Sequence, residues 1–135
     1  MAIQRVFASV LTDRLQASRA FWVDWLGFTV AFDSNWFIQL AAPGDASLEL
    51  GLIDRHHETI PSAFQLPPTG GLVTVVVDDV DAAHDRALFR DIPVIEPPTD
   101  MFYGQRRMLV TSPAGMLVDI SSVIQREVTE VEADI

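Results

Sequence analysis

Two acidic side chains stand at similar places in two apolar runs of this sequence. Glu49 lies in SLELGL and Asp119 lies in MLVDIS, each between aliphatic residues. Carboxylates on one face of a sheet can orient a cationic or hydrogen-bonding ligand, and two of them can form an acid/base pair when their pKa values are pushed apart. Alternatively, the two carboxylates have no role in binding a ligand, and one of them is ion-paired with Arg107.

The adjacent histidines His56 and His57 suggest a metal site at first sight. Adjacent side chains of an extended chain point apart, so the two do not form one bidentate site. They lie in DRHHETIPSAFQLPPTG, whose prolines and mixed polarity predict a surface linker. A solvated loop is therefore favoured over catalysis. The chain has no cysteine, which excludes thiol nucleophiles and thiolate metal sites.

The elements that must position these residues occur twice in the same order. Residues 3–53 and residues 71–123 each predict strand, helix, strand, strand, strand, with residues 54–70 as the linker. Residues 124–135 are expected to be an acidic C-terminal tail of a single domain spanning 1–135. The copies align through four pairs of residues: Ser9 with Thr74, Arg14 with Asp79, Gln39 with Leu109, and Glu49 with Asp119.

Helix signals lie between the first and second strand of each copy. Thr12 or Asp13 is expected to cap the first helix, and Gly27 to end it. Asp78 or Asp79 is expected to cap the second helix. In the second copy, EPPTDMFYG is expected to form a longer connection than its counterpart. Trp22 and Trp25 have helical spacing, which favours packing in the core or in a dimer interface over ligand stacking.

Alternation along the strands predicts one aliphatic face, against which the helices pack, and one mixed face. A curved sheet with aromatic groups beside charges on its mixed face is a candidate pocket for a small molecule. Tyr103 lies in the expected connection, near the rim of such a pocket. The candidate ligand-binding residues are Phe7, Ser9, Phe37, Gln39, Glu49, Leu72, Thr74, Tyr103, Arg107 and Asp119.

The bulk properties exclude several classes of partner. The 135 residues suit one domain, and the 49% hydrophobic fraction is sufficient for a packed core. A net charge of -10 disfavours nucleic acids and anionic membrane surfaces and favours cationic small molecules. The sequence contains no apolar run long enough to span a bilayer and no signal-peptide pattern, so a cytoplasmic location is expected.

Nearly the whole chain resembles the vicinal oxygen chelate superfamily, which includes glyoxalase I, bleomycin resistance proteins and extradiol dioxygenases. The resemblance is carried by DRLQASRAFWVDWLGF, SLELGL, VDDVDAAHDRAL and YGQRRMLVTSPAGMLVDI, in this order. It implies an α+β fold of two βαβββ modules that pair curved mixed sheets into a cup, with the helices on the outer face. It also implies a homodimer.

Enzymes of this superfamily bind a divalent metal through the first and last strands of each module. The resemblance places those four positions at Phe7, Glu49, Leu72 and Asp119. Phenylalanine and leucine cannot ligate a metal, and two carboxylates would make a weak, hydrated site. We therefore expect no metal and no other cofactor.

The function expected from these observations is metal-free binding of a small molecule. The compound would be aromatic or cationic and would be sequestered, as in bleomycin-type antibiotic resistance. The alternative is a metal-dependent lyase, isomerase or dioxygenase of the same superfamily, with His56 or His57 folding over the cup. A third alternative is a regulatory or interaction module that uses a dimer and no pocket.

Overall fold

The structure, a computed structural model, describes residues 1–124. The chain divides into two compact units, Met1–Gly70 with Pro113–Met116, and Gly71–Ser112 with the chain from Leu117 on. Each unit contains one four-stranded mixed sheet, so the predicted α+β fold of two βαβββ modules is confirmed. The pairing of the sheets into a cup stays a prediction. Of the predicted tail 124–135, all but Ile124 lies outside the described residues.

In the first unit the sheet has the order β1-β4-β3-β2, with β1 parallel to β4 and the other neighbours antiparallel. Its strands and helix are β1 (Ala8–Thr12), α1 (Leu15–Ala20), β2 (Thr29–Asp33), β3 (Phe37–Ala42) and β4 (Asp45–Asp54). A π-helical turn, Phe21–Trp25, continues α1, and a 3-10 turn, Ser62–Phe64, lies in the linker.

The second unit repeats this arrangement with the strand order β5-β8-β7-β6 and a parallel β5–β8 pair. Its elements are β5 (Leu72–Val76), α2 (Val80–Phe89), β6 (Val94–Asp100), β7 (Gln105–Thr111) and β8 (Leu117–Val123). The expectation that EPPTDMFYG is a connection was partly wrong, because β6 continues to Asp100. Pro97 and Pro98 fit there because β6 is an edge strand, where a missing N–H costs no ladder hydrogen bond.

The predicted aliphatic face is buried in both units. Its residues have at most 5% of their surface exposed: Ile38, Leu40, Leu50, Leu52, Met108, Val110, Val118 and Ile120. Leu48 is the exception, with 58% exposed near the start of β4. Helix α1 contacts β4, and α2 contacts β6, β7 and β8. Burial of these aliphatic side chains is the main stabilising contribution to each unit.

The first helical segment stabilises its unit through aromatic residues. Trp22 and Trp25 are each 1% exposed, which confirms the first of the two predicted alternatives, packing in the core. The Phe21 ring meets both indoles edge to face at 5.2 Å between centroids, and Phe28 meets Trp22 at 5.3 Å. Such pairs add to the gain from burial.

The two helices begin differently. The prediction that Thr12 or Asp13 caps α1 was wrong, because Arg14 is the N-cap and makes no side-chain capping bond. The Thr12 hydroxyl accepts from the Arg14 N–H at 3.0 Å and bonds the Ser18 hydroxyl at 2.9 Å. In α2 the predicted cap Asp79 is confirmed: its Oδ1 accepts from the Ala82 N–H at 3.1 Å.

None of the helices in the part of the chain that the structure describes is long and apolar enough to cross a membrane.

Candidate functional site

In the first unit, four side chains gather on the mixed face of the sheet beside β1. They are Arg5, Phe7, Gln39 and Glu49, which we call the Glu49 cluster. The Arg5 guanidinium donates twice to the Glu49 carboxylate, with Nε 2.6 Å from Oε2 and the second bond from Nη2 to Oε1. Gln39 Nε2 also donates to Oε1, at 3.2 Å. Arg5 Cζ lies 4.7 Å from the centroid of the Phe7 ring, a cation–π contact.

These contacts determine the charge state of Glu49. The hydrogen bonds from Arg5 are the main reason that the pKa of the Glu49 carboxyl is lowered; Gln39 and the Arg5 charge lower it further, against a smaller opposing effect of desolvation. The same pair raises the pKa of Arg5. Glu49 is therefore an ionised carboxylate with a matched cation, which suits it to hold a positive group and not to donate a proton.

Ser9 and Phe37 lie beside the cluster and meet over Gly51. Gly51 pairs with Ser9 on one side and with Gln39 on the other. A Cβ on Gly51 would lie 2.4 Å from the Ser9 hydroxyl oxygen and 3.3 Å from a Phe37 ring carbon. Glycine at this position therefore lets both side chains close over the backbone of β4.

In the second unit, Asp119 has a different environment. Thr74 Oγ1 donates to Asp119 Oδ2 at 3.1 Å, and Ser121 Oγ donates to Oδ1 at 2.6 Å. We call these three residues the Asp119 cluster. Hydroxyl donors orient a carboxylate without cancelling its charge. The cluster thus presents an oriented anion on the mixed face.

Arg107 does not pair with either predicted carboxylate. Its Nη2 donates to Glu96 at 3.0 Å, whereas Glu49 is held by Arg5. The hypothesis that Arg107 neutralises one of the two predicted carboxylates was therefore wrong. Arg107 Nε is buried and has no hydrogen-bond partner among the described residues.

The other predicted site residues lie around the Asp119 cluster or in turns. Leu72 is 50% exposed and pairs with Leu117, one step along the same face from Thr74. Tyr103 lies in the turn between β6 and β7, where its ring meets that of Phe102 edge to face at 5.2 Å. Leu109 is buried beside Asp119.

The histidines of the linker separate into one exposed and one packed side chain. His57 stacks on Trp36 with the ring centroids 4.0 Å apart, and its Nδ1 bonds the Thr59 hydroxyl at 2.9 Å. His56 is exposed. The packing of His57 on Trp36 supports a structural role for that ring.

The strand registers correct the predicted alignment of the two copies. Ser9 and Gln39 both face Gly51, and their counterparts Thr74 and Leu109 both face Asp119. The position equivalent to Asp119 is therefore Gly51, and Glu49 is equivalent to Leu117. The alignment of Glu49 with Asp119 was wrong by two residues along β4.

Three functional contacts were not predicted, those of Arg5, Ser121 and Glu96. Arg5 had a signal in the sequence, because Arg5, Phe7 and Ser9 alternate and would share one face of an extended chain. Ser121 had the same signal relative to Asp119. Glu96 had none, because the register of β6 on β7 shifts at Glu96 itself.

The donor set does not fit the metal that the superfamily resemblance implies. Phe7 and Leu72 have no donor atom, and both oxygens of Glu49 already accept hydrogen bonds from Arg5. Within residues 1–124 no group of three or more His, Cys, Asp or Glu side chains is placed to hold a metal ion. Divalent metals of this kind need three or four protein donors.

Residues 3–120 match the family model of the glyoxalase/bleomycin resistance protein/dioxygenase superfamily. The chain belongs to this family, which confirms the predicted vicinal oxygen chelate membership. No curated protein matches the chain in sequence.

Several solved structures share the fold. TnmS3, an antibiotic binding protein from Streptomyces sp. CB03234, is 27% identical, with a TM-score of 0.70 over 91% of this chain and 98% of its own. A glyoxalase/bleomycin resistance protein/dioxygenase from Nocardioides is 23% identical, with a TM-score of 0.70 over 94% and 87%. Lactoylglutathione lyase from Agrobacterium tumefaciens is 21% identical, with a TM-score of 0.69 over 90% and 95%. The last two show the fold alone.

Proposed function

We propose that this protein is a metal-free small-molecule binding protein that sequesters an aromatic or cationic compound. The observation that carries the proposal is the composition of the two mixed faces. Each presents a hydrogen-bonded carboxylate beside exposed apolar groups, Phe7 at 37% and Leu72 at 50% exposure. Such surfaces bind ligands through apolar area and orient them through a few polar groups.

The relationship to TnmS3 supports a sequestering role. That protein is an antibiotic binding protein, and it covers this chain nearly end to end at 27% identity. The chain's net charge of -10 adds long-range attraction for cations. We propose antibiotic sequestration as the biological use of the site, in the cytoplasm and as a homodimer.

Metal content is the first test of the proposal. Protein purified without chelator or affinity tag is analysed for metals and then titrated with Ni, Zn, Mn and Fe(II). We expect no stoichiometric metal. A stoichiometric metal that disappears in the Glu49→Gln/Asp119→Asn double variant would overturn the proposal and favour the metal-dependent lyase, isomerase or dioxygenase alternative.

A ligand screen is the second test. Aromatic and cationic antibiotics are screened by thermal stabilisation and confirmed by calorimetry, with Asp119→Asn and Asp91→Asn as a matched pair of charge-removing variants. Asp91 lies in the turn after α2 and is a member of neither cluster. We expect a bound cation to lose affinity in the first variant and to keep it in the second. Equal affinity for both variants would remove Asp119 from the site.

The dimer proposal is tested by sedimentation equilibrium. A mass of about twice the 15.0 kDa chain is expected, and a monomer at every concentration would contradict it.

A further inference from the structure

The Glu49 cluster already holds a cation, the guanidinium of Arg5. We infer that Arg5 is an internal competitor occupying a binding site for a planar N–H-rich cation, namely a guanidinium or amidinium group of the ligand. This inference rests on the proposed function, because it names the class of ligand that the first unit would bind. It also assigns Arg5 as a residue that controls affinity.

The cluster has the parts of a recognition site for such a group. The Glu49 side chain is only 12% exposed, so its carboxylate accepts hydrogen bonds in a partly desolvated position. Gln39 Nε2 donates to the same carboxylate at 3.2 Å, on the Oε1 atom that also accepts from Arg5 Nη2. The Phe7 ring supplies a face on which a planar cation stacks. An ordinary ion pair at the surface lacks both a buried amide, as in Gln39, and an aromatic face, as in Phe7, so these two groups distinguish the cluster from such a pair.

Gln39 gives independent evidence for a missing partner. Its side chain is 4% exposed, and its Oε1 atom is buried without a hydrogen-bond donor among the described residues. The bond from Nε2 to Glu49 fixes the amide orientation, since the reversed amide would point an oxygen at a carboxylate. Buried acceptors without partners are rare and need an explanation such as a bound group. A ligand that directs an N–H group at Gln39 Oε1 would supply this donor.

Arg5 is suited to exchange with a ligand. Its side chain is 55% exposed, and it belongs to residues 1–7, which precede the first strand. Holding a long side chain in one geometry at the surface costs conformational entropy that offsets much of the ion-pair energy. Replacing Arg5 by a ligand cation keeps the Glu49 charge matched, so the exchange leaves no buried charge unpaired.

The geometry selects a planar cation over an ammonium group. Arg5 uses Nε and Nη2 against the two oxygens of Glu49, a bidentate arrangement that also lays the guanidinium over Phe7. An amidinium reproduces both the paired N–H groups and the flat face. An ammonium is a compact point charge that can do neither.

The experiment measures binding of three probes of similar size by NMR titration. Benzamidine carries the planar cation, benzylamine carries an ammonium, and benzamide is the neutral isostere of benzamidine. They are titrated into the wild type, Arg5→Met, the Arg5→Met/Glu49→Gln double variant and the control Arg19→Met. Among the described residues, the ion pair of Arg19 is a long one with Asp33, at 3.9 Å.

We expect Arg5→Met to tighten benzamidine binding roughly three- to tenfold, because the internal competitor is removed and the competent fraction rises. Arg19→Met should bind benzamidine with the affinity of the wild type. The affinity for benzamide should change in neither variant, and Arg5→Met should increase the affinity for benzylamine less than that for benzamidine. The double variant should lose the gain. Arg5→Gln, which also removes the charge, replaces Arg5→Met in each comparison if that variant does not fold.

Four outcomes of the probe titrations would overturn the inference. They are an unchanged benzamidine affinity in Arg5→Met, an equal gain for benzamide, an equal gain for benzylamine, and a gain that survives in the double variant. The proposed function fails separately, through stoichiometric metal. A drug that binds the wild type with no dependence on Arg5 or Glu49 would sink this inference and leave the proposed function standing.

Discussion

The two units have the same strand order but treat their carboxylates differently. In the first, Glu49 is paired with the guanidinium of Arg5. In the second, Asp119 is held by the hydroxyls of Thr74 and Ser121, which leave its charge in place. Under the proposed function, a ligand cation would have to displace a side chain in one unit and would meet an oriented anion in the other.

The buried face shows no such divergence. Ile38 and Leu40 in the first unit correspond to Met108 and Val110 in the second, and all four have no exposed surface. The core of each unit must be filled at the density of a solid, whereas the mixed face only has to satisfy its polar groups. The comparison shows that the two copies of the module share the residue types of the buried face and differ in the polar residues of the mixed face.

The largest expected effect tests the difference between the helical segments. Trp22→Ala should cost about 3–5 kcal/mol of unfolding free energy, since it empties the aromatic packing with Phe21 and Phe28. Val80→Ala in α2 should cost about 1.5–3 kcal/mol. Urea unfolding monitored by circular dichroism measures both. Equal losses would show that the aromatic segment adds nothing beyond ordinary burial.

The next effect concerns the equivalent positions Gly51 and Asp119. Gly51→Ala should lose about 1–3 kcal/mol, because the new Cβ meets Ser9 and Phe37. Gly71→Ala is the matched control, since a Cβ there meets nothing within 4 Å. Thermal unfolding of the pair measures the difference. If Gly51→Ala and Gly71→Ala lose the same stability, the Ser9 side chain can rotate away from the new Cβ. The close packing over Gly51 would then contribute nothing to stability.

A smaller effect distinguishes the helix starts. Asp79→Ala should lose about 1 kcal/mol, because the Ala82 N–H loses its acceptor. Asp13→Ala should change stability by less than about 0.5 kcal/mol, since Asp13 does not cap α1 and its side chain stays 44% exposed in its pair with Arg55. Chemical unfolding of both variants is the measurement. A loss in Asp13→Ala as large as in Asp79→Ala would contradict the assigned caps.

The smallest effect is the pH dependence of the Glu49 cluster. Because the pKa of Glu49 is lowered in the folded protein, its pairing contributes stability above the ordinary carboxyl range, and this contribution is lost as the pH falls through the lowered pKa. The difference in unfolding free energy between wild type and Arg5→Met should therefore be largest at neutral pH and decrease in acid.

Urea unfolding across this pH range checks the Glu49 prediction. The control is the same Arg5→Met change in a Glu49→Gln background, where the difference should not vary with pH. A difference that is constant with pH in both backgrounds would show that Arg5 acts through packing on Phe7 alone.

Much of the fold followed from the sequence, and less of the site did. Strand alternation correctly placed the aliphatic face, and Asp79 was recognisable as a cap because its backbone partner is three residues away. The failures involve competition between local partners or pairing at long range. Thr12 bonds Arg14 and Ser18 and does not cap the helix. Arg107 was assigned to the wrong carboxylate, since β6 brings Glu96 within its reach.

The amino-acid sequence by itself determined the repeated order of elements and the face on which each strand residue lies, because a period of two residues is a local property. Only the tertiary structure decided which residues meet across the sheet. Sliding a strand by two residues leaves every side chain on the same face, so alternation cannot distinguish Gly51 from Glu49 as the counterpart of Asp119. The pairing of Arg5 with Glu49 joins residues 44 positions apart, and it too depends on that register.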